Sequence, residues 1–314
     1  MKWEKWTGVL MVVFAVVFSP ALFAEGPVVY VLKHKSLSVY NETEAAVVAD
    51  LKLDYTVVTA NVTLDTINSV SRAIRKKKAV AVVAIGTKAT AMIKKKVTRI
   101  PILVCMALRP VKTCLVPSLK RPGHMITGIS LDIPVEVQFK RIRKLFPWIN
   151  RIGVLYTPNQ DEALIAAAKK SAKRYGFKLY IKPIHSQSQI QPQLKDLFQK
   201  QIELLWAIPD QKIYSKQNLE YILLSLNRFK IPFMGLSRAY LSMGAFFSFD
   251  PDPSDIGKRT AALVKRVDQK GVSPGKISIK GPKKINYSIN QRVMKRFGFH
   301  PPQETLRNAK EVFQ

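Results

Sequence analysis

Acidic residues are scarce in this chain: 21 Asp and Glu stand against 51 Lys and Arg in 314 residues, a net charge of +30. So few carboxylates, thinly spread over the loops, argue against a hydrolase built on a carboxylate pair. Cysteine is scarcer still, with Cys105 and Cys114 alone. No C-x-x-C spacing exists, which removes the usual redox and zinc motifs. In an oxidising compartment the two either form one disulfide closing a short loop or stay as two free buried thiols. The four histidines, His34, His124, His185 and His300, are isolated from each other and from the cysteines, so no metal-ligand spacing arises. There is no G-x-S-x-G elbow and no phosphate-binding loop. The chain reads as a non-enzyme that calls for no cofactor and no metal.

Long apolar runs are also missing, apart from one at the N-terminus. Lys2 and Lys5 precede an apolar stretch over residues 9–18, which closes on Ser-Pro-Ala-Leu-Phe-Ala before Glu25. Basic start, apolar middle and small residue at the cut make residues 1–24 a secretory signal peptide. The stretch is shorter than the roughly 20 apolar residues that span a bilayer; the alternative is an uncleaved N-terminal anchor. No Cys follows the cut, which argues against a lipid anchor. The mature chain then begins near Glu25, in the periplasm.

With 47% hydrophobic residues the chain buries a large core, as one big domain or two lobes. Its positive charge attracts polyanions. Behind a signal peptide these are anionic lipid, lipopolysaccharide or an acidic partner rather than nucleic acid; a merely solvated basic surface is the other reading. The triplets Lys76-Lys77-Lys78 and Lys94-Lys95-Lys96 fall at expected helix C-termini, where cations complement the helix dipole by about 0.3–1 kcal/mol each. No aromatic residues interleave with them as a stacking platform for single strands would need.

Short β-rich runs alternate with amphipathic stretches, the pattern of parallel α/β sheets. Strands are expected at 28–32, 56–60, 80–85 and 101–106, with helices at 42–51, 63–77 and from Gly86 to about residue 96. A second array follows. Its helices are expected at 134–146, 161–175, 190–199 and 215–229, and its strands at 152–156, 178–181, 204–208 and 231–234. Residues 245–249 and a helix at 256–270 read as one more βα unit, and 277–279 and 285–289 as short terminal strands.

From Val80 onward the order of segments resembles the substrate-binding proteins of ABC transporters, in the ABC_sub_bind (TrpX-like) family, some of whose members bind aromatic amino acids. The residues that carry it begin with Ala84-Ile85-Gly86-Thr87-Lys88-Ala89 and Ile100-Pro101-Ile102-Leu103-Val104. They continue through Arg121-Pro122-Gly123, Ile126-Thr127-Gly128-Ile129-Ser130 and Arg151-Ile152-Gly153-Val154-Leu155-Tyr156. Ala207-Ile208-Pro209-Asp210, Ile231-Pro232-Phe233, Gly244-Ala245, Ser248-Phe249-Asp250, Asp255-Ile256-Gly257 and Ile289-Asn290 follow. The resemblance implies a type I periplasmic binding protein: two Rossmann-like lobes with parallel sheets, joined by a hinge and closing on a small ligand. Crossings near Ser130, Gly244 and Ile279 would divide the chain into 25–130 plus 245–278 and 131–244 plus 279–314. It also implies an ABC permease as partner and a monomer.

Ligands of such sheets sit beyond the carboxyl ends of the strands. The turn Gly86–Thr90 lies at one such end, so the free amides of its helix start, with Thr87, Ala89 and Thr90, form a candidate anion site; a plain helix cap made by Thr87 is the alternative. Related proteins usually carry an acidic residue before a proline after the next strand, suited to an ammonium group. Here the position reads Leu108-Arg109-Pro110, and Arg109 favours an anion or a carboxylate unless it is a solvated loop residue. Asp210 is the remaining acidic candidate in the cleft. Ser237 and Arg238 should face the same opening, and Asn159 is a candidate that also suits a turn. The expected function is capture of an amino acid, carboxylate or other small anion for a permease. The alternative is a sensor or adaptor of the same fold that binds a membrane receptor or an anionic surface.

Overall fold

The computed structural model describes residues 26–123 and 125–314, so the expected signal peptide lies outside the described residues. The first half alternates β1 (Val28–Lys33), α1 (Ser38–Leu51), β2 (Thr56–Asn61), α2 (Ile67–Lys76), β3 (Ala81–Ile85), α3 (Thr87–Lys94), β4 (Ile102–Ala107) and β5 (Ile126–Ser130). These strands form a five-stranded sheet in the order β2-β1-β3-β4-β5, with every neighbouring pair parallel. A parallel sheet covered on both faces needs strands apolar on both faces, and β3 and β4 are buried along their whole length. The alternation divides them cleanly. Val82, Ala84 and Val104 pack with α2 and α3 residues such as Ile74 and Ile93, while Val83, Ile85 and Leu103 pack on the other face with Val47 and Leu51 of α1.

The second half carries α4 (Val135–Leu145), β6 (Arg151–Tyr156), α5 (Glu162–Tyr175), β7 (Lys178–Pro183), α6 (Ile190–Gln199) and β8 (Leu204–Trp206), then α7 (Lys216–Arg228), β9 (Phe233–Gly235), α8 (Ala239–Ser242) and β10 (Phe247–Pro251). The chain returns to the first sheet as α9 (Pro253–Asp268), then closes the second with β11 (Ile285–Asn290), α10 (Gln291–Arg296), α11 (Gln303–Arg307) and β12 (Glu311–Phe313). The seven strands run β12-β11-β10-β9-β8-β6-β7; all pairs are parallel except β10 with β11. An aromatic core fills one face, where Phe139 meets Phe177 and Trp206 edge to face and Phe146 lies against Phe246 and Phe247. The Trp206 indole N–H donates to Gln138 Oε1 at 2.8 Å.

Helix α9 belongs with the first sheet. Its Ile256, Ala261 and Val264 pack with Val29, Val31 and Leu103, and it crosses α1 so closely that a Cβ on Gly257 would lie 2.6 Å from the Thr43 carbonyl oxygen. The expected division needs correcting here. Residues 245–278 do not belong together, because β10 pairs with β9 and β11 in the second sheet. The crossing falls at Asp252-Pro253, not near Gly244. A local βα reading assigned the strand to its following helix, whereas pairing with neighbours decides which sheet a strand joins. The expected strand at 277–279 is also absent; nearby, Lys280 alone bridges to Ile129.

Three crossing segments lie side by side. Ser130 donates its amide to the Lys280 carbonyl at 2.9 Å, and Asp252 donates to that of Lys284 at 2.9 Å. Asp252 also caps α9, accepting from the Asp255 amide at 3.0 Å, and pairs with the Lys284 ammonium at 2.9 Å.

Candidate functional site

All strands of the two sheets but β11 and β12 run in one direction within their sheet, so the loops after them gather at one edge of each sheet. Those two edges face each other. Arg109, two residues past β4, donates to the Pro209 carbonyl after β8 at 3.1 Å and to the Gln160 carbonyl after β6 at 3.4 Å. The same guanidinium pairs with Asp161, which also takes the Lys112 ammonium at 3.1 Å. The Asp161 side chain is 0% exposed and that of Arg109 14%.

Arg109 is aimed by its backbone. It sits at φ +50°, a left-handed conformation that costs a non-glycine residue free energy unless the surroundings hold it. Its amide is shared between both oxygens of Asp132 at 3.0 Å each, and Thr113 returns its amide and hydroxyl to the Arg109 carbonyl. Burial pushes the Asp132 carboxyl up, against the opposing pull of the Arg109 amide and charge and of Ser130.

On the second side, the Asp210 carboxylate is 5% exposed. Its Oδ1 accepts the amides of Lys212 and Ile213 at 2.9 and 3.3 Å. Burial alone would raise it, but the neighbouring Thr157 hydroxyl, those amides and the Lys112 charge hold it below the usual carboxylate range. Among buried polar atoms here, Asp161 Oδ2 and Tyr214 Oη have no hydrogen-bond partner, and Thr157 Oγ1 and Asp210 Oδ2 have none beyond the closeness of the Thr157 hydroxyl to the Asp210 carboxylate. Buried polar atoms are rarely left so, and a carboxylate oxygen without a donor, as on Asp161, marks a place where a donor fits.

The candidates from sequence divide. Thr87 is half-buried at the edge, but its Oγ1 accepts the Leu108 amide at 3.2 Å and makes no cap bond. Ala89 and Thr90 point the other way and need correcting as contacts made by side chains. Both are fully buried beneath the first sheet, and the Thr90 hydroxyl donates to the Gly86 carbonyl at 2.9 Å; the helical turn that exposes Thr87 carries both inward. Arg109 reaches the Pro209 carbonyl, next to Asp210 in the chain. Asn159 is exposed at φ +61°, its amide donating to Glu162 Oε1, which makes it a turn residue beside Gln160. Ser237 is half-buried after β9, while the side chain of Arg238 turns away to Glu311 on β12.

Sequence reasoning missed Asp161, Lys112, Thr157, His34 and Tyr40. Asp161 reads as a routine helix cap, yet its carboxylate caps nothing. His34 and Tyr40 meet edge to face at 6.0 Å. The Tyr40 hydroxyl lies where a Cβ on Gly86 would be, 2.5 Å away, and Gly86 sits at φ +88°; only glycine suits both demands. Burial, then Lys35 and Lys88, hold the His34 imidazole toward its neutral form. The cysteines do not pair: Cys105 is buried and Cys114 exposed. Among the described residues no group of three or more His, Cys, Asp or Glu could hold a metal ion, and no helix is long and apolar enough to cross a membrane.

A family model for ABC transporter substrate binding proteins matches residues 39–313, nearly the whole of the two-sheet frame that builds this cleft. The chain belongs to that family. This substrate-binding protein is 25% identical over 198 residues to a tyrosine-binding protein of Clostridioides difficile (strain R20291), a match spanning 62% of this chain and 56% of that protein's length. A substrate binding protein with adhesive properties from Clostridium difficile, in its ligand-free, open form, shares the fold at a TM-score of 0.73 and 19% identity, over 92% of this chain and 99% of the other. So does an ABC domain from Streptococcus pneumonia in complex with L-Trp, at a TM-score of 0.62 and 20% identity, over 92% and 100%. The fold is that of type I periplasmic binding proteins, two α/β lobes around a cleft.

Proposed function

We propose that this protein captures a small zwitterionic ligand, an amino acid, between its lobes outside the cytoplasm and delivers it to an ABC permease. The observation that carries this reading is the pairing of opposite poles across the cleft. Asp161, with a buried oxygen lacking a donor, and Asp210, a buried charged carboxylate with the Thr157 hydroxyl beside it, suit an ammonium group. Arg109 and Lys112 opposite suit a carboxylate. Asp161 neutralises the Arg109 charge, so the guanidinium does not repel an ammonium group beside it. The relatives named for tyrosine and L-Trp support the same ligand class, and His34 with Tyr40 supplies an aromatic wall. The basic-apolar-small pattern of residues 1–24 supports export.

Thermal-shift titration of the protein with the twenty amino acids, dicarboxylates and inorganic anions tests this. A ligand at a hundred times its Kd stabilises the fold by ~2.7 kcal/mol. Tyrosine and tryptophan head the panel. A saturable shift with one amino acid supports the reading; shifts with anions alone would move the ligand class to carboxylates or inorganic anions.

The charge of +30 favours a second reading, an adaptor of this fold that binds an anionic membrane surface. It predicts salt-sensitive sedimentation with anionic vesicles and no small-molecule stabilisation.

A further inference from the structure

The clamp across the cleft is already satisfied by the protein's own cations. Both Arg109 and Lys112 come from the first lobe, and both reach one oxygen of an aspartate whose side chain is wholly buried on the second. Arg109 adds two carbonyls from two different loops of that lobe. Its amide is meanwhile anchored on Asp132, just past the first crossing segment. The guanidinium therefore joins the hinge region of one lobe to the strand ends of the other.

We propose that Arg109 is a tethered counter-ion that, with Lys112, holds the lobes together through Asp161 while no ligand is bound, and that it yields only to a ligand bringing both an ammonium group and a carboxylate. This rests on the reading of the cleft as an amino-acid site. The reason is charge balance in a buried place. Taking Arg109 off Asp161 removes a cation from a buried carboxylate, which is strongly unfavourable unless another replaces it. A ligand ammonium on the free oxygen of Asp161 and beside the Asp210 carboxylate makes that replacement, and the released guanidinium then takes the ligand carboxylate as a paired fork. An amine alone leaves Arg109 without an anion. An acid alone draws Arg109 away and leaves the buried Asp161 to Lys112 alone. A zwitterion exchanges one ion pair for two, with no charge stranded. Arg109 is thus a specificity-determining residue as well as a latch, since it filters ligands by what they must replace.

The test has two arms. Small-angle X-ray scattering on the ligand-free protein compares wild type, Arg109→Gln, Asp161→Asn and, as a control of equal charge change, Arg151→Gln, whose ion pair with Glu203 lies within one lobe. Arg109→Gln and Asp161→Asn should each enlarge the radius of gyration, the double variant should add nothing further, and the control should match wild type. Circular dichroism and melting curves confirm that each variant is folded, and Asp161→Asn stands in if Arg109→Gln is not. The second arm titrates L-tyrosine, tyramine and N-acetyl-L-tyrosine, probes that keep both charges, the ammonium only or the carboxylate only. Wild type should prefer tyrosine to tyramine by about tenfold or more, the loss expected when a charged partner is left unmade, and Arg109→Gln should erase most of that preference. Radii unchanged in both variants overturn the latch, and a preference that survives intact in Arg109→Gln overturns the filter. Should none of the twenty amino acids bind, the amino-acid reading fails while the scattering arm still decides the latch.

Discussion

Arg109 and Asp161 stand on opposite lobes, and the guanidinium of one reaches the fully buried carboxylate of the other. Each would be an awkward residue alone: an arginine held in a left-handed turn, and an aspartate at a helix start that caps nothing. Together they put one positive and one negative pole on facing edges of two sheets.

Asp210 is the second acid of the cleft, and its two oxygens have separate tasks. Oδ1 holds the amides of Lys212 and Ile213, while Oδ2 takes neither and the carboxylate has the Thr157 hydroxyl beside it. Asp210→Asn keeps an acceptor for the amides but loses the charge. The fold should survive, and amino-acid affinity measured by calorimetry should fall about tenfold or more, the usual worth of a charged hydrogen bond.

The cysteines should differ sharply in reactivity. Cys105 is buried and receives the Thr260 hydroxyl at 3.3 Å, and burial pushes its thiol up to about 12. Thiolate is the reactive form. A thiol reagent at neutral pH should therefore label one site in the native protein, Cys114, and two only after unfolding. Two labels on the native protein would contradict the burial of Cys105.

Acid should loosen the crossing at Asp252. Burial alone would raise this carboxyl, but Lys284, the Asp255 amide and Asn286 bring it down to about 2 from 3.8. The folded state thus favours the charged form. The stabilisation is whole above about pH 4 and is lost as pH falls toward 2. Burial raises Asp132 and Asp250 instead, so those groups have the opposite slope. Melting temperatures of wild type and Asp252→Asn from pH 2 to pH 6 should converge at the acid end. Asp252→Ala, which also removes the cap of α9, should cost about 1 kcal/mol at neutral pH.

Gly257 lets α9 lie against α1. A methyl group there would sit 2.6 Å from the Thr43 carbonyl and 2.7 Å from the Ala46 Cβ, and backbone cannot give way cheaply. Gly257→Ala should destabilise the protein by about 1–3 kcal/mol in urea unfolding, the cost of overpacking. A neutral result would mean that the helices separate freely.

Much of the fold was legible in the residues. Strand β3 is an unbroken apolar run because a parallel strand covered by helices on both sides has no polar face to show. The amphipathic helices follow from the same rule in a different period, and β5 was visible only as part of the family motif Ile126-Thr127-Gly128-Ile129-Ser130. The small elements α8, α10, α11 and β12 were not, because pieces of three to six residues carry too short a pattern to read. Helix α1 begins at Ser38, earlier than 42, since its first turn is held by packing rather than by any cap.

Local sequence therefore determined the alternation of strands and helices, the two arrays and the glycine turn after β3, because apolar periodicity and backbone freedom act over a few residues. Tertiary structure alone decided that β10 joins the second sheet, that Thr90 faces the core while Thr87 takes the Leu108 amide at the sheet edge, and that Arg109 finds Asp161. Strand pairing, helix phase and charge pairing across a cleft depend on how distant segments are brought together, and no spacing along the chain records that.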